Sequence, residues 1–258
     1  MLLWAKTVER NMSEKPRLED ITGTEFITTK QTSNFENIKI FTVDSLEDCL
    51  EMIFELNNDE KIIPIYRGQS SDSFRLIPKI GRQQLRSSCV ENNIFLDFKR
   101  NYRRYYNQML TSNMDILMLG QHYGLPTRLL DWTTNPLVGV YFACASQPDN
   151  DGVIFVKGLK KDEKYVDEKD EKDPFSYTEN IFIFPENFEI RFANQNGLFE
   201  LFANPTVESN SDLKAKIIIK ANAKDQIIRR LSLLNIEPTD LFPNLDNLCR
   251  HIESEYLV

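Results

Sequence analysis

Residues 117–145 read LMLGQHYGLPTRLLDWTTNPLVGVYFACA, a polar stretch between two apolar ones. Gly120, Gly124 and Pro126 predict a backbone that turns sharply between two apolar elements. A polar loop held by rigid apolar elements is a common way to build a binding or catalytic site. The alternative is a helix–loop–helix whose polar groups only cap helix ends and pair with each other. The side chains that could bond a ligand here are Gln121, His122, Thr127, Arg128, Asp131, Thr133 and Asn135.

The second apolar end of this stretch predicts a buried helix. Asn135 followed by Pro136 is typical of a helix start, with the cap residue before a proline in the first turn. The residues that follow, up to Ala145, are almost continuously apolar. Because a helix that is apolar all round belongs in the interior, we expect the polar loop to be anchored on a central core helix.

Length and composition limit the class of protein. A chain of 258 residues with 41% hydrophobic residues suits one globular domain with an appended arm. A net charge of −8 argues against broad binding to nucleic acid. No apolar run reaches membrane-spanning length, and the four cysteines (Cys49, Cys89, Cys144, Cys249) contain no CxxC pair. We therefore expect a cytoplasmic protein with reduced thiols, no membrane contact and no metal site.

The order of predicted elements favours an α+β fold. Residues 1–36 form an N-terminal arm or extension, and residues 37–258 form one mixed domain. Residues 159–175 are a charged surface excursion, since Lys, Asp and Glu dominate them. Strands and helices alternate without a regular βαβ pattern. Strands are predicted near 38–43, 62–68, 153–156, 180–185 and 216–219, and helices at 46–56 (capped by Ser45), 90–111, 114–120, after Asn135, after a cap at Asp225, and at the C-terminal end.

Basic residues mark two further places. Arg67 follows Tyr66 and precedes Gly68 at the end of a β-like run, where a long cation can meet a ligand oxygen. The alternative is an ordinary strand-end arginine in solvent. Arg100, Arg103 and Arg104 give the helix at 90–111 a basic flank, which suits either a phosphate contact or a solvated helix face.

These motifs together resemble the FRG domain family. The resemblance covers roughly residues 38–258 and includes Tyr66-Arg67-Gly68, the aromatic-Arg-Gly motif that gives the family its name. It continues through Leu76-Ile77-Pro78, Arg82, Phe98-Lys99-Arg100, the loop from Gln121 to Thr133, Asn135-Pro136, Gln195-Asn196-Gly197-Leu198-Phe199 and Leu241-Phe242-Pro243-Asn244-Leu245.

The resemblance implies a bacterial or phage protein, of the kind encoded near defence or toxin genes. The motif order is similar to the three-part site of ADP-ribosyltransferases, which implies a sheet of that type and NAD as cofactor. Arg67 would hold a phosphate or the nicotinamide ribose. His122, Tyr123 and Thr127 would position ribose and stack on nicotinamide. Gln195 or Glu200 would orient the acceptor or stabilise the oxocarbenium-like transition state. The implied ligand-binding residues are Tyr66, Gly68, Gln121, Tyr123, Thr127, Arg128, Asp131, Thr133 and Asn135.

Other interpretations stay open at this point. His122 could act as a general base with Asp131 holding its tautomer, or it could be a structural histidine. Arg128 and Asp131 could form a buried pair that only shapes the loop, and Trp132 could be a core wedge. A second function is a non-catalytic sensor or interaction module that binds a nucleotide, a phage product or a protein partner such as an antitoxin. Nucleic acid is a less favoured ligand because the chain is acidic.

Overall fold

The structure is a computed structural model that describes residues 38–82, 90–161, 172–185 and 193–256. The predicted arm at 1–36 and the middle of the charged excursion, 162–171, lie outside the described residues. Leu159 and Lys160, expected in the excursion, belong to a strand instead, because the buried run before them continues. No helix in the described ranges is long and apolar enough to cross a membrane.

One mixed sheet runs through the described residues. Its strand order is β1-β7-β4-β2-β3-β6-β5, with β1 parallel to β7 and the other neighbours antiparallel. This confirms the predicted mixture of helices and strands, and the structure adds that the described strands form a single sheet. The strands are β1 (Lys39–Val43), β2 (Ile62–Gln69), β3 (Leu129–Thr133), β4 (Gly152–Lys160), β5 (Ile181–Ile183), β6 (Gly197–Leu201) and β7 (Leu213–Ile219).

Helices begin where the sequence supplies caps. Ser45 accepts a hydrogen bond from the backbone of Asp48 and starts the first helix as predicted. Ser112 does the same for the helix before the polar loop. The α-helices are α1 (Leu46–Leu56), α2 (Val90–Asn101), α3 (Asn113–His122), α4 (Pro136–Cys144), α5 (Lys224–Ser232), α6 (Pro238–Leu241) and α7 (Leu245–Tyr256), with 3-10 turns at Lys79–Arg82, Tyr102–Arg104 and Ala221–Ala223.

Helix α4 is the central buried helix that the sequence predicted. The Asn135 side chain caps it by accepting from the backbone N–H of Leu137 at 3.0 Å. Val138, Val140 and Ala143 are fully buried against the sheet. Strand β2 lies so close beneath α4 that a Cβ atom on Gly68 would stand 2.0 Å from the Gly139 carbonyl oxygen. Gly68 is therefore required for the packing of the helix on the sheet.

The two faces of the sheet pack against different apolar clusters. Residues that alternate along each strand place Tyr66, Ile154 and Ile217 against α1, α4 and α5 in one apolar cluster. The opposite face carries a second cluster that includes Ile65, Trp132 and Phe155. A third cluster joins α2 and α3 to β3, β5 and β6.

Three predicted elements need correction. The helix expected over 90–111 ends at Asn101, whose side-chain amide donates to the Asp97 carbonyl oxygen at 2.8 Å and closes the last turn. Residues 129–133, expected within a loop, form strand β3 because Leu130 and Trp132 alternate with polar side chains. Asp225 lies in the first turn of α5 and is not its cap, which is Ala223.

We expect a Gly68→Ala substitution to destabilise the protein strongly. Added atoms in a closely packed interior typically cost about 1–3 kcal/mol, and here the methyl group would meet backbone that cannot rotate away. The free energy of unfolding from denaturant titration measures the effect.

Gly120→Ala is the matched control, because the nearest atom to its new methyl group is the mobile end of the Leu125 side chain. Equal stability losses for the two variants would contradict the packing role of Gly68.

Candidate functional site

The candidate site lies where two adjacent strands separate. Strands β2 and β3 share a single residue pair, Tyr66 with Thr133. Beyond it, side chains take the place of backbone ladder bonds. Arg67 donates from Nη1 to the Asp131 carbonyl oxygen at 2.6 Å, and Gln121 donates from Nε2 to the Leu129 carbonyl oxygen at 3.3 Å. A cavity of about 430 Å³ opens at this point, lined by Arg67, Lys79, Arg82, Gln121, Gly124, Leu125, Leu129, Leu130 and Asp131.

Arg67 is the most buried of the three cations that line the cavity. Its side chain is 16% exposed, and its Nη1 atom also lies 3.7 Å from the Asp131 carboxylate. Burial lowers its pKa to about 10, against the attraction of Asp131, so the guanidinium is still charged at neutral pH. Within the described part of the chain, its buried Nε has no hydrogen-bond partner. A buried donor without a partner carries an uncompensated desolvation cost.

Two more cations stand at the exposed mouth of the cavity. Lys79 donates from Nζ to the Gly124 carbonyl oxygen at 2.7 Å, and Arg82 donates from Nε to the Ile77 carbonyl oxygen at 3.0 Å. Gly124 takes a positive φ of 86° in the turn after α3, a conformation that favours glycine. Partial burial lowers the pKa of Arg82, and Asp131 opposes that shift. The lining thus carries three formal positive charges and one negative charge, a net +2.

Gln121 fixes the carboxylate of the cavity. Its Nε2 atom donates to Asp131 Oδ2 at 3.1 Å, and its Oε1 atom accepts from the Thr127 hydroxyl. Thr127 in turn accepts from the backbone N–H of Leu129 at 3.2 Å. This chain of bonds locks the amide orientation, since each end of Gln121 has a defined partner. The Asp131 side chain is 57% exposed and so is held in place while open to solvent.

Residues 63–152 match the model of the FRG domain family. The chain carries an FRG domain. No curated protein and no solved structure matches the chain. Every residue that lines the cavity falls within the matched residues, so the cavity belongs to the FRG domain itself.

Several motif residues of the FRG domain build its frame. Tyr66 is 2% exposed beneath α4, and its hydroxyl accepts from the Asn57 amide at 2.7 Å. Thr133 donates to the Gln195 carbonyl oxygen at 2.6 Å and accepts from the backbone N–H of Asn135 at 3.0 Å. These side chains, like the capping Asn135 and the packed Gly68, hold elements together, and the cavity lining does not include them.

Arg128 is paired away from the cavity. Its guanidinium meets the Glu91 carboxylate with two parallel bonds, at 2.8 Å from Nε and 2.6 Å from Nη2. It also lies over the Phe175 ring, 4.8 Å from the centroid. The alternative of an Arg128–Asp131 pair is wrong, because Glu91 takes Arg128 while Arg67 approaches Asp131.

Glu200 lies in the interior of the sheet. Its side chain and that of Lys157 are both 0% exposed, and Lys157 Nζ lies 3.1 Å from Glu200 Oε1. Trp132 donates to Glu200 Oε2 at 3.0 Å, and Asn180 and Ser209 donate to Oε1. Burial lowers the pKa of Lys157, and Glu200 opposes that shift. Trp132 is 2% exposed and packs in the core, as the core-wedge interpretation expected.

The other expected catalytic residues also lie outside the cavity lining. Gln195 donates from Nε2 to the Leu241 carbonyl oxygen at 2.8 Å, which ties the start of β6 to α6. His122 ends α3 next to the lining residue Gln121, with its ring 4.8 Å edge-on from the ring of Tyr123. Tyr123 is 65% exposed. Arg67 is therefore the one predicted catalytic residue in the lining, and the roles of the others stay predictions.

The sequence assigned no role to two of the cavity cations. Arg82 was part of the family resemblance but not of the expected site, and Lys79 was in neither. Both lie in the 3-10 turn Lys79–Arg82, whose sequence shows no helical or strand period. The one sequence feature that could have indicated their role is the presence of two basic residues in a short apolar turn. Their position over the cavity depends on a tertiary contact, the bond from the Ile80 N–H to the Thr127 carbonyl oxygen at 3.3 Å.

We expect Glu200→Gln to destabilise the fold by about 3–5 kcal/mol, because it leaves the Lys157 ammonium buried without its counter-charge. Chemical denaturation at neutral pH measures the change.

The control is Glu47→Gln, which removes a carboxylate paired with Arg230 at an exposed position and should cost at most about 1 kcal/mol. Equal free energies of unfolding for the two variants would contradict a stabilising role of the buried Lys157–Glu200 pair.

Proposed function

We propose that the FRG domain binds the phosphate groups of a nucleotide in this cavity, with NAD as the ligand. The observation that carries the proposal is the concentration of Arg67, Lys79 and Arg82 around one cavity in a chain whose net charge is −8. A cleft with an excess of one sign of charge attracts and orients ligands of the opposite sign. Phosphate suits this lining, since a guanidinium fork can hold two of its oxygens at once and the further cations balance its charge.

Arg67 supports the proposal through its surroundings. The bond from its Nη1 atom to the Asp131 carbonyl oxygen fixes the guanidinium plane without neutralising its charge. The weak 3.7 Å approach of the Asp131 carboxylate leaves the cation short of a counter-ion. A phosphate oxygen would complete the set of acceptors. The cavity volume of about 430 Å³ is also within the usual range for small-molecule sites, about 300–1,000 Å³.

The proposed reaction is of ADP-ribosyltransferase or NAD glycohydrolase type. Cleavage of the bond between ribose and nicotinamide develops positive charge on the sugar, and a nearby carboxylate stabilises that charge. Asp131 is the carboxylate that lines the cavity. We assign this role to Asp131, since the oxygens of Glu200 are taken by four neighbouring side chains.

The biological setting of the proposal comes from the family resemblance. In this setting the protein is a bacterial antiviral defence or toxin-type effector that acts in the cytoplasm on the host's nucleotide pool. A protein partner or antitoxin would then control it. These features extend the proposal from the cavity to the cell and depend on NAD being the ligand.

A second candidate is a sensor that binds a nucleotide without turning it over. The observation that favours it is that Gln195 and Glu200 are both bonded into the frame. Of the three parts expected for a transferase site, only Arg67 then faces the cavity. Binding without NAD consumption is the expected behaviour of such a module.

Calorimetric titration with NAD, ADP-ribose and pyrophosphate tests the proposal. We expect all three compounds to bind the wild type. Arg67→Ala should lower the affinity for each by about tenfold or more, because it removes at least one charge-assisted hydrogen bond. Arg100→Ala removes an exposed arginine paired with Asp97 and should leave affinity unchanged.

NAD consumption, followed by chromatography with and without cell lysate, separates the two candidates. Turnover that is lost in Asp131→Asn while NAD binding remains supports the enzyme. Binding without turnover supports the sensor. Absence of binding by all three compounds would overturn both.

A further inference from the structure

A second polar group lies beside Arg67 on strand β2. Gln69 is 5% exposed, and among the described residues neither its Nε2 nor its Oε1 has a hydrogen-bond partner. A buried amide with both ends unpaired carries a desolvation cost that native proteins rarely leave in place without a purpose.

The strand places Gln69 on the cavity side of the sheet. Side chains two residues apart on a strand point to the same face, about 7 Å apart, so Gln69 follows Arg67 along that face. Its partner on β4 is Val153, which packs in one cluster with Leu76. Leu76 begins the segment that carries Lys79 and Arg82 over the cavity. Gln69 therefore lies on the same face of β2 as Arg67, two residues beyond the group that would hold phosphate, and just outside the residues that line the cavity.

The end of β2 is held firmly. Lys224, with 1% exposure, donates from Nζ to the Ser70 carbonyl oxygen at 2.7 Å and to the carbonyl oxygens of Ser146 and Gln147. This anchor fixes the residue that directly follows Gln69. A polar side chain on a rigid support is suited to recognise a ligand group of matching geometry.

We propose that Gln69 recognises the uncharged end of the nucleotide through a paired donor and acceptor. A primary amide matches a group that offers one acceptor and one donor side by side, such as the carboxamide of nicotinamide or the edge of adenine. This inference rests on the proposed phosphate site at Arg67. It adds the source of specificity, since phosphate contacts alone do not distinguish one nucleotide from another.

Gln69→Leu tests the inference with two readouts. The unliganded variant should be at least as stable as the wild type, because the change removes two unpaired buried polar atoms. Its affinity for pyrophosphate should be unchanged, and its affinity for NAD should fall by about tenfold or more. Equal loss for NAD and ADP-ribose assigns the contact to adenine, and loss for NAD alone assigns it to nicotinamide. Gln226→Leu, at an exposed position on α5, is the control.

Clear results would overturn the inference. If Gln69→Leu folds and binds NAD as the wild type does, or if Gln69→Leu and Gln69→Met both lower stability markedly, then Gln69 is a structural amide. Gln69→Met repeats the measurement should the leucine variant not fold. A failure of the proposed phosphate site is distinguished from this result, because the wild type would then not bind pyrophosphate.

Discussion

The site depends on the early separation of strands β2 and β3. After the Tyr66–Thr133 pair, the sheet is closed by side chains instead of backbone bonds, chiefly by Arg67 reaching the Asp131 carbonyl oxygen. An uninterrupted ladder would leave no room for a ligand between the two strands. Because one guanidinium both bridges the gap and lines the cavity, stability and ligand binding act through the same residue.

The surroundings of the cavity distinguish its charges from those of the frame. Arg128 and Lys157 are buried cations as well, yet each has a carboxylate at hydrogen-bond distance, Glu91 and Glu200. Arg67 has only the looser 3.7 Å contact with Asp131. Full pairing in the frame gives rigidity, whereas incomplete pairing in the cavity gives a cation that a ligand can satisfy. This difference sets Arg67 apart from Arg128 and Lys157, and the sequence motifs do not show it.

Much of the frame was predictable from local patterns. Ser45 and Asn135 marked helix starts through their capping chemistry, and the apolar run after Pro136 indicated a buried helix. Arg67, Gln121 and Asp131 were expected at the site and do line the cavity. Local patterns could not show that Arg128 would pair with Glu91 or that Glu200 would pair with Lys157, because those partners are distant in sequence. Nor could they place Lys79 and Arg82, which reach the cavity through tertiary contacts of an irregular turn.

The most direct test of this account is a crystal structure of the protein soaked with ADP-ribose. We expect a diphosphate oxygen within hydrogen-bond distance of Arg67, with Lys79 and Arg82 closing on the same group. Well-defined nucleotide density at another surface, with the cavity between β2 and β3 holding only solvent, would contradict it.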